Sequence, residues 1–89
     1  MGNLYLIDRD AGEAALPLAA ADPEAQVVLI QDGVYLDAQL AVGAGRPVYA
    51  LASDLKVRGL EGRMPPRVKA IDYSELVDLI FAHKVINFA

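Results

Sequence analysis

The chain has 89 residues, a formal net charge of −4 and no cysteine, which excludes a disulfide framework, a cysteine-ligated metal and a thiol nucleophile. It is long enough for one domain, residues 1–89, with a thin core. The acidic balance argues against direct nucleic-acid binding, even though Arg46, Lys56, Arg58, Arg63, Arg67 and Lys69 cluster in the middle third.

The first apolar run, Asn3 to Ile7, reads as a strand. Asp10, with Glu13 three residues on, resembles a capping box opening a helix. Pro17 would remove a hydrogen bond inside that helix, so it is expected to be irregular or to start later, and to end near Ala21 before Asp22-Pro23. Val27 to Ile30 is an unbroken apolar run suited to a strand buried on both faces. Gln31-Asp32-Gly33 stops it, and Val34, Ala38, Ala41 and Val42 recur at helical spacing, with Gly43 and Gly45 ending that helix. Pro47 opens a third strand, Val48 to Leu51. Ser53 is the expected cap of a short helical turn, Asp54 to Arg58, which Gly59 ends in a left-handed conformation.

Gly62 to Pro66 reads as a loop, and Arg67 to Ala70 as a short edge strand guarded by charge. Asp72 and Glu75 suit an N-cap and its partner. The stripe Tyr73, Leu76, Val77, Ile80, Phe81 makes the next helix the clearest in the chain. Lys84 to Ala89 is read as a short apolar tail. The alternation predicts an α/β fold: a three-layer sandwich around a small, mainly parallel, four-stranded sheet. Because 55% of residues are apolar, part of that surface, including Val85-Ile86 and Phe88, is expected to be covered by another subunit.

Candidate chemistry is sparse. Ser53 and Ser74 stand at helix starts, where a hydroxyl ordinarily satisfies backbone N–H groups. His83, the single histidine, lies near a helix end, where a dipole contact or solvent exposure accounts for it. One histidine cannot anchor a zinc site. A carboxylate magnesium site of Asp8, Asp32 and Asp54 competes with ordinary capping roles for Asp32 and Asp54. The carboxyl rim of the sheet, where open parallel sheets bind ligands, would carry Asp8, Asp32, Gly33, Ser53, Asp54, Asp72 and Tyr73. It is acidic, and neither glycine-rich phosphate motif occurs in the sequence. No catalytic, cofactor-binding or metal-binding residue is assigned, and no cofactor is expected. No run reaches the ~18–20 apolar residues of a membrane span. The N-terminus lacks signal-peptide features, so the cytoplasm is the expected compartment.

Three segments, residues 28–34, 48–60 and 71–79, together resemble the DsrH/TusB family of small sulfur-relay proteins over roughly Leu4 to His83. The resemblance implies a DsrEFH-like fold and assembly with DsrE/TusD-type and DsrF/TusC-type subunits. It also implies a place in a cytoplasmic relay serving 2-thiolation of the tRNA wobble uridine or dissimilatory sulfur oxidation. The essential cysteine of such complexes lies on the DsrE/TusD-type subunit. Some DsrH-type members also have one in the first helix, whereas residues 13–21 here hold none. The expectation is therefore a non-catalytic, cysteine-free subunit. The alternative is a stand-alone homodimeric binding protein that has left the relay. The family pattern carries over only to Asp32, Gly33, Asp54, Arg58, Gly59, Asp72 and Tyr73. These are read as caps, a turn glycine and a buried tyrosine, or as partner contacts, with Arg58 the most informative of them.

Overall fold

The computed structural model describes residues 2–36, 46–65 and 67–88. Among these residues five strands, β1 (Asn3–Ile7), β2 (Ala25–Leu29), β3 (Val48–Leu51), β4 (Val68–Ile71) and β5 (Lys84–Phe88), alternate with three α-helices, α1 (Gly12–Ala21), α2 (Ala52–Val57) and α3 (Tyr73–Ala82). Short 3-10 turns, Arg9–Ala11 and Gln31–Tyr35, follow β1 and β2. The helix expected across Ala38, Ala41 and Val42, with Gly43 and Gly45 at its end, lies outside the described residues; Val34 belongs to the second 3-10 turn.

All strand pairs are parallel, in the order β4-β3-β2-β1-β5. The sheet thus has five strands and not four. The expected tail, Lys84–Phe88, is an edge strand paired with β1, from Asn3↔Lys84 to Ile7↔Phe88. The partner that satisfies its backbone lies some eighty residues away in the chain, beyond the reach of local pattern. Ile86 and Phe88 therefore pack against the core of this same chain, with Phe88 stacked on Tyr5 at 6.3 Å between ring centroids.

Chain order and the right-handed crossover rule decide which face each helix covers. The chain steps from β1 through β4 in one direction, and then reverses to reach β5 beyond β1. The described helices and turns that precede the reversal pack on one face. There Ala15 and Ala19 of α1, Val34 of the 3-10 turn and Leu55 of α2 pack on Tyr5, Ile7, Val27, Leu29, Val48 and Ala50. The connection after it crosses the other face, where Leu76 of α3 packs on Leu4, Val28, Leu51 and Ile71. Helices on both sides of the sheet make three layers, and α3 is the only helix on its side among the described residues.

Local chemistry explains the element ends. The Asp10–Glu13 capping box does not form. Asp8 accepts the Arg9 N–H at 2.6 Å and caps the 3-10 turn first, so α1 starts only at Gly12, without a side-chain cap. Pro17 lies inside α1 on its exposed side, where solvent can take up the Glu13 carbonyl it leaves without a partner. The buried side of α1 carries Gly12, Ala15 and Ala19, small residues that let the helix approach the sheet closely.

Asp22 then ties α1 to β1. Its carboxylate accepts from the Asn3 amide at 2.6 Å, the Tyr5 hydroxyl at 3.1 Å and the Glu24 N–H at 2.9 Å. The Asn3 hydrogen bond, chiefly, with that of Glu24, holds the Asp22 carboxyl below its ordinary 3.8. Burial, then the Asp22 carboxylate, pushes the Tyr5 phenol upward. A depressed carboxyl stabilises the fold above its unfolded-state pKa and loses that contribution as pH falls through its folded-state value. Asp22→Asn is accordingly expected to be less stable than the parent at pH 7, with the gap closing below about pH 4. Urea midpoints measured from pH 7 to pH 2.5 check this, and a gap that stays constant with pH would refute it.

Candidate functional site

At the carboxyl ends of β2 and β3 the structure gathers Asp32, Gly33, Asp54, Arg58 and Gly59. Because β3 passes directly into α2, the helix starts at Ala52. Ser53 sits exposed in its first turn and does not cap it; the N-cap residue is Leu51, which makes no side-chain hydrogen bond. Asp54 points back to the neighbouring turn, and its Oδ2 accepts the Gln31 N–H at 2.7 Å. Gln31 needs that partner, since it has φ of 51°, a left-handed conformation that side chains other than glycine disfavour. Arg58 closes the cluster. Its Nε donates to Asp32 Oδ1 at 2.8 Å, and its Nη1 donates to the Asp54 carbonyl at 3.2 Å and to Asp54 Oδ1 at 3.5 Å.

One guanidinium thus joins the turn after β2 to the helix after β3. The hydrogen bond to Asp32, above all, raises the Arg58 pKa further, against a smaller desolvation effect. The side chains of Arg58 and Asp54 are 19% exposed, whereas Asp32 is 56% exposed, so one carboxylate of the cluster faces outward. Beside it, the Arg9 guanidinium lies 5.6 Å from the centroid of the half-exposed Tyr35 ring.

The two glycines serve for different reasons. Gly59 (φ 68°) ends α2: its N–H donates to the Lys56 carbonyl, and the Leu60 N–H reaches the Leu55 carbonyl at 2.9 Å. This is a Schellman pattern, and Leu60 packs against the core cluster that contains Leu55. Gly33 is buried in the 3-10 turn, against the backbone of Ile7 and Asp8.

Asp72 and Tyr73 stand apart from this cluster, at the start of α3. Asp72 accepts the Glu75 N–H at 2.8 Å and Glu75 Oε1 accepts the Asp72 N–H at 3.3 Å, so the expected capping box is present. Tyr73 is exposed and not buried, because α3 turns Leu76 and Leu79 toward the sheet instead.

His83 is neither loose in solvent nor a simple dipole contact. Its Nδ1 faces the Leu79 carbonyl at 2.8 Å, so that nitrogen is the donor, and Nε2 accepts from the Gln26 amide at 2.8 Å. The Tyr49 hydroxyl donates to Gln26 Oε1 at 3.1 Å, extending the link from α3 to β2 and β3.

The cluster is built to hold two connections together and to present charge. It contains no nucleophile. Asp54 is occupied by Gln31 and Arg58, and an arginine stays protonated at any physiological pH. Among the described residues no three histidine, aspartate or glutamate side chains stand close enough to hold a metal ion, and no helix is long and apolar enough to cross a membrane.

Arg58→Ala and Arg58→Lys are both expected to lower the melting temperature, by roughly 3–8 °C. Lysine fails to rescue because it cannot reproduce the fork that meets Asp32 and Asp54 together. Thermal unfolding followed by circular dichroism checks this, and full rescue by lysine would show that charge alone suffices.

Gln31, Arg9 with Tyr35, and Gln26 with Tyr49 were not singled out by the sequence. The one local signal, the turn-forming Gln31-Asp32-Gly33, marks the place but not the partners.

Comparison with known proteins agrees with this architecture. The family described as DsrH like protein matches residues 12–86. Protein TusB of Photorhabdus laumondii subsp. laumondii is 37% identical over 65 residues, covering 64% of this chain and 66% of that protein. Protein TusB of Serratia proteamaculans is 32% identical over 91 aligned positions, covering 91% and 94%. The YchN protein of E. coli shares the fold, with a TM-score of 0.82 over 99% of each chain at 16% identity. With a match that runs through nearly every element of the sheet and its helices, the chain belongs to the DsrH family.

Proposed function

We propose that this protein is a non-catalytic subunit of a cytoplasmic sulfur-relay complex that assembles with DsrE/TusD-type and DsrF/TusC-type partners. Its task is to complete the assembly and shape the surface on which a cysteine-bearing subunit works. The observation that carries this reading is a DsrH-family chain with no cysteine. Sulfane sulfur is passed by attack of one thiolate on another sulfur, and a chain without a thiol can neither attack nor hold it. The two relatives named TusB favour the branch that leads to tRNA 2-thiouridine over dissimilatory sulfur oxidation.

Within this reading the outward carboxylate of Asp32 and the arginine behind it are the polar contacts offered to a partner. Gly33, Gly59 and Asp54 hold them in place. Asp72 caps α3, and Tyr73 beside it is exposed for contact. Tagged protein recovered from its native host is expected to bring down two related small subunits, at least one with cysteine. Deletion of its gene is expected to lower tRNA 2-thiouridine. Recovery of this chain alone, with thiolation and sulfur oxidation both unchanged, would favour the stand-alone homodimer instead.

A further inference from the structure

Near the amino ends of β2 and β3, a row of hydrogen-bonded side chains has a direction that one proton can reverse. The Leu79 carbonyl can only accept, so the His83 Nδ1 that faces it at 2.8 Å carries a proton. In the neutral ring Nε2 is then the acceptor. Gln26 of β2 meets Nε2 with its amide N–H at 2.8 Å and turns Oε1 to Tyr49 of β3, whose hydroxyl donates at 3.1 Å. The hydrogen bonds thus all run in one sense, from Tyr49 toward Leu79. Tyr49 ends the row in a groove of about 350 Å³ that it lines with Lys69, Ile71, Glu75, Asp78 and Leu79.

We propose that this row is a proton-operated switch: when His83 takes up a proton, the row reverses and turns the Tyr49 O–H into the groove. An imidazolium donates from both nitrogens. Nδ1 keeps the Leu79 carbonyl, but Nε2–H would now face the amide N–H of Gln26 across 2.8 Å. Two opposed donors leave both unsatisfied, and a half-turn of the amide removes the conflict. Gln26 Oε1 then accepts from His83, its amide N–H donates to the Tyr49 oxygen, and the phenol proton is left to the groove. The proton comes from solvent, the new N–H is the only covalent bond formed, and the groove exchanges an acceptor for a donor. The ring itself stays in place. Its contact with Leu79 holds in both states, and a Cβ on Gly2 would lie 3.4 Å from its Cδ2. Lys84, the next residue, donates its N–H to the Gly2 carbonyl at 3.0 Å.

The charged groups on this side of the sheet are Glu24 ahead of β2, Lys69 on β4, and Glu75 and Asp78 on α3; Tyr49 is the other titratable neighbour. Lys84 points to the opposite face by the β1–β5 register. Lys69 is engaged with Glu75 at 3.7 Å, and among the described residues no carboxylate pairs with the imidazole. The Gln26 amide is therefore the group that must answer its change of charge. The inference rests on the fold alone and is independent of the sulfur-relay reading.

A single histidine makes the test direct. In NMR spectra of the isotope-labelled protein at about pH 8, long-range imidazole correlations are expected to place the proton on Nδ1 and none on Nε2. On acidification to about pH 5, the range over which histidine changes charge, the Gln26 side-chain amide and Tyr49 ring signals should move with the His83 midpoint. In Gln26→Leu, His83 should still titrate while the Tyr49 ring signals stay still, with the parent's circular dichroism retained. A proton on Nε2 at the higher pH would overturn the proposal. So would a His83 titration that leaves Gln26 and Tyr49 unmoved in the parent, or a Tyr49 response that survives in Gln26→Leu. The measurements on the parent decide the matter without the variant. None of them involves tRNA thiolation, so failure here is distinct from failure of the relay reading.

Discussion

Gly33→Ala is expected to lose about 3 kcal/mol or more of folding stability, although it adds one methyl group. The new Cβ would lie well inside contact distance of the Ile7 carbonyl oxygen and 3.1 Å from Asp8 Cα, all of it backbone that cannot rotate away. That carbonyl also accepts the Ile30 N–H, and the Gly33 N–H reaches the Ile30 carbonyl at 2.8 Å, so shifting the turn breaks hydrogen bonds on both sides. A chain of this size has a total stability of about 4–13 kcal/mol, which the substitution would reduce to a marginal value. The readout is a lower urea midpoint at unchanged slope. Asp32 is displaced with the turn, so the Arg58 link should weaken as well. Gly59→Ala makes the informative contrast: no atom lies within 4 Å of a Cβ there, and only the positive φ resists, at a cost of about 1 kcal/mol. Equal effects at the two glycines would show that crowding at Gly33 is not the controlling factor.

Leu29→Ala is expected to cost about 2–5 kcal/mol and to lower the melting temperature by about 10–25 °C. Leu29 is fully buried on β2, paired in register with Ile7 and Ala50, on the face that α1 and α2 cover. A cavity there has little room to collapse, because parallel strands on both sides and helices above hold its walls. Ile30 and Gln31 follow directly, so loosening the end of β2 also loosens the turn that carries Asp32. Calorimetry of the parent and the variant measures the loss. A fall of only a few degrees would mean that the sheet repacks around the gap.

Much of the fold could be read locally. Apolar runs marked β1 to β4, Asp22-Pro23 marked the end of α1, and Gly59 and the Asp72–Glu75 pair marked helix ends that the structure reproduces. These signals depend on residues within a few positions of each other. The errors came where a neighbour distant in sequence intervened or a boundary moved by two or three residues. Asp8 pre-empted the Asp10–Glu13 box, and the direct passage of β3 into α2 left Ser53 inside the helix. The apolar tail found a place beside β1, and Tyr73 turned outward. At the candidate site the residue types were legible, but the pairing was not. Arg58 and Asp32 are 26 positions apart and meet because β2 and β3 end side by side.

Composition and periodicity by themselves determined that this is a thiol-free α/β chain with parallel strands, because backbone pairing and burial repeat with periods that short stretches display. Tertiary structure alone decided the fifth strand, the placement of α3 on the second face, the crowding at Gly33 and the bridge from Arg58 to Asp32. Each of these depends on which distant strands become neighbours, and that is selected by burying the whole sheet at once.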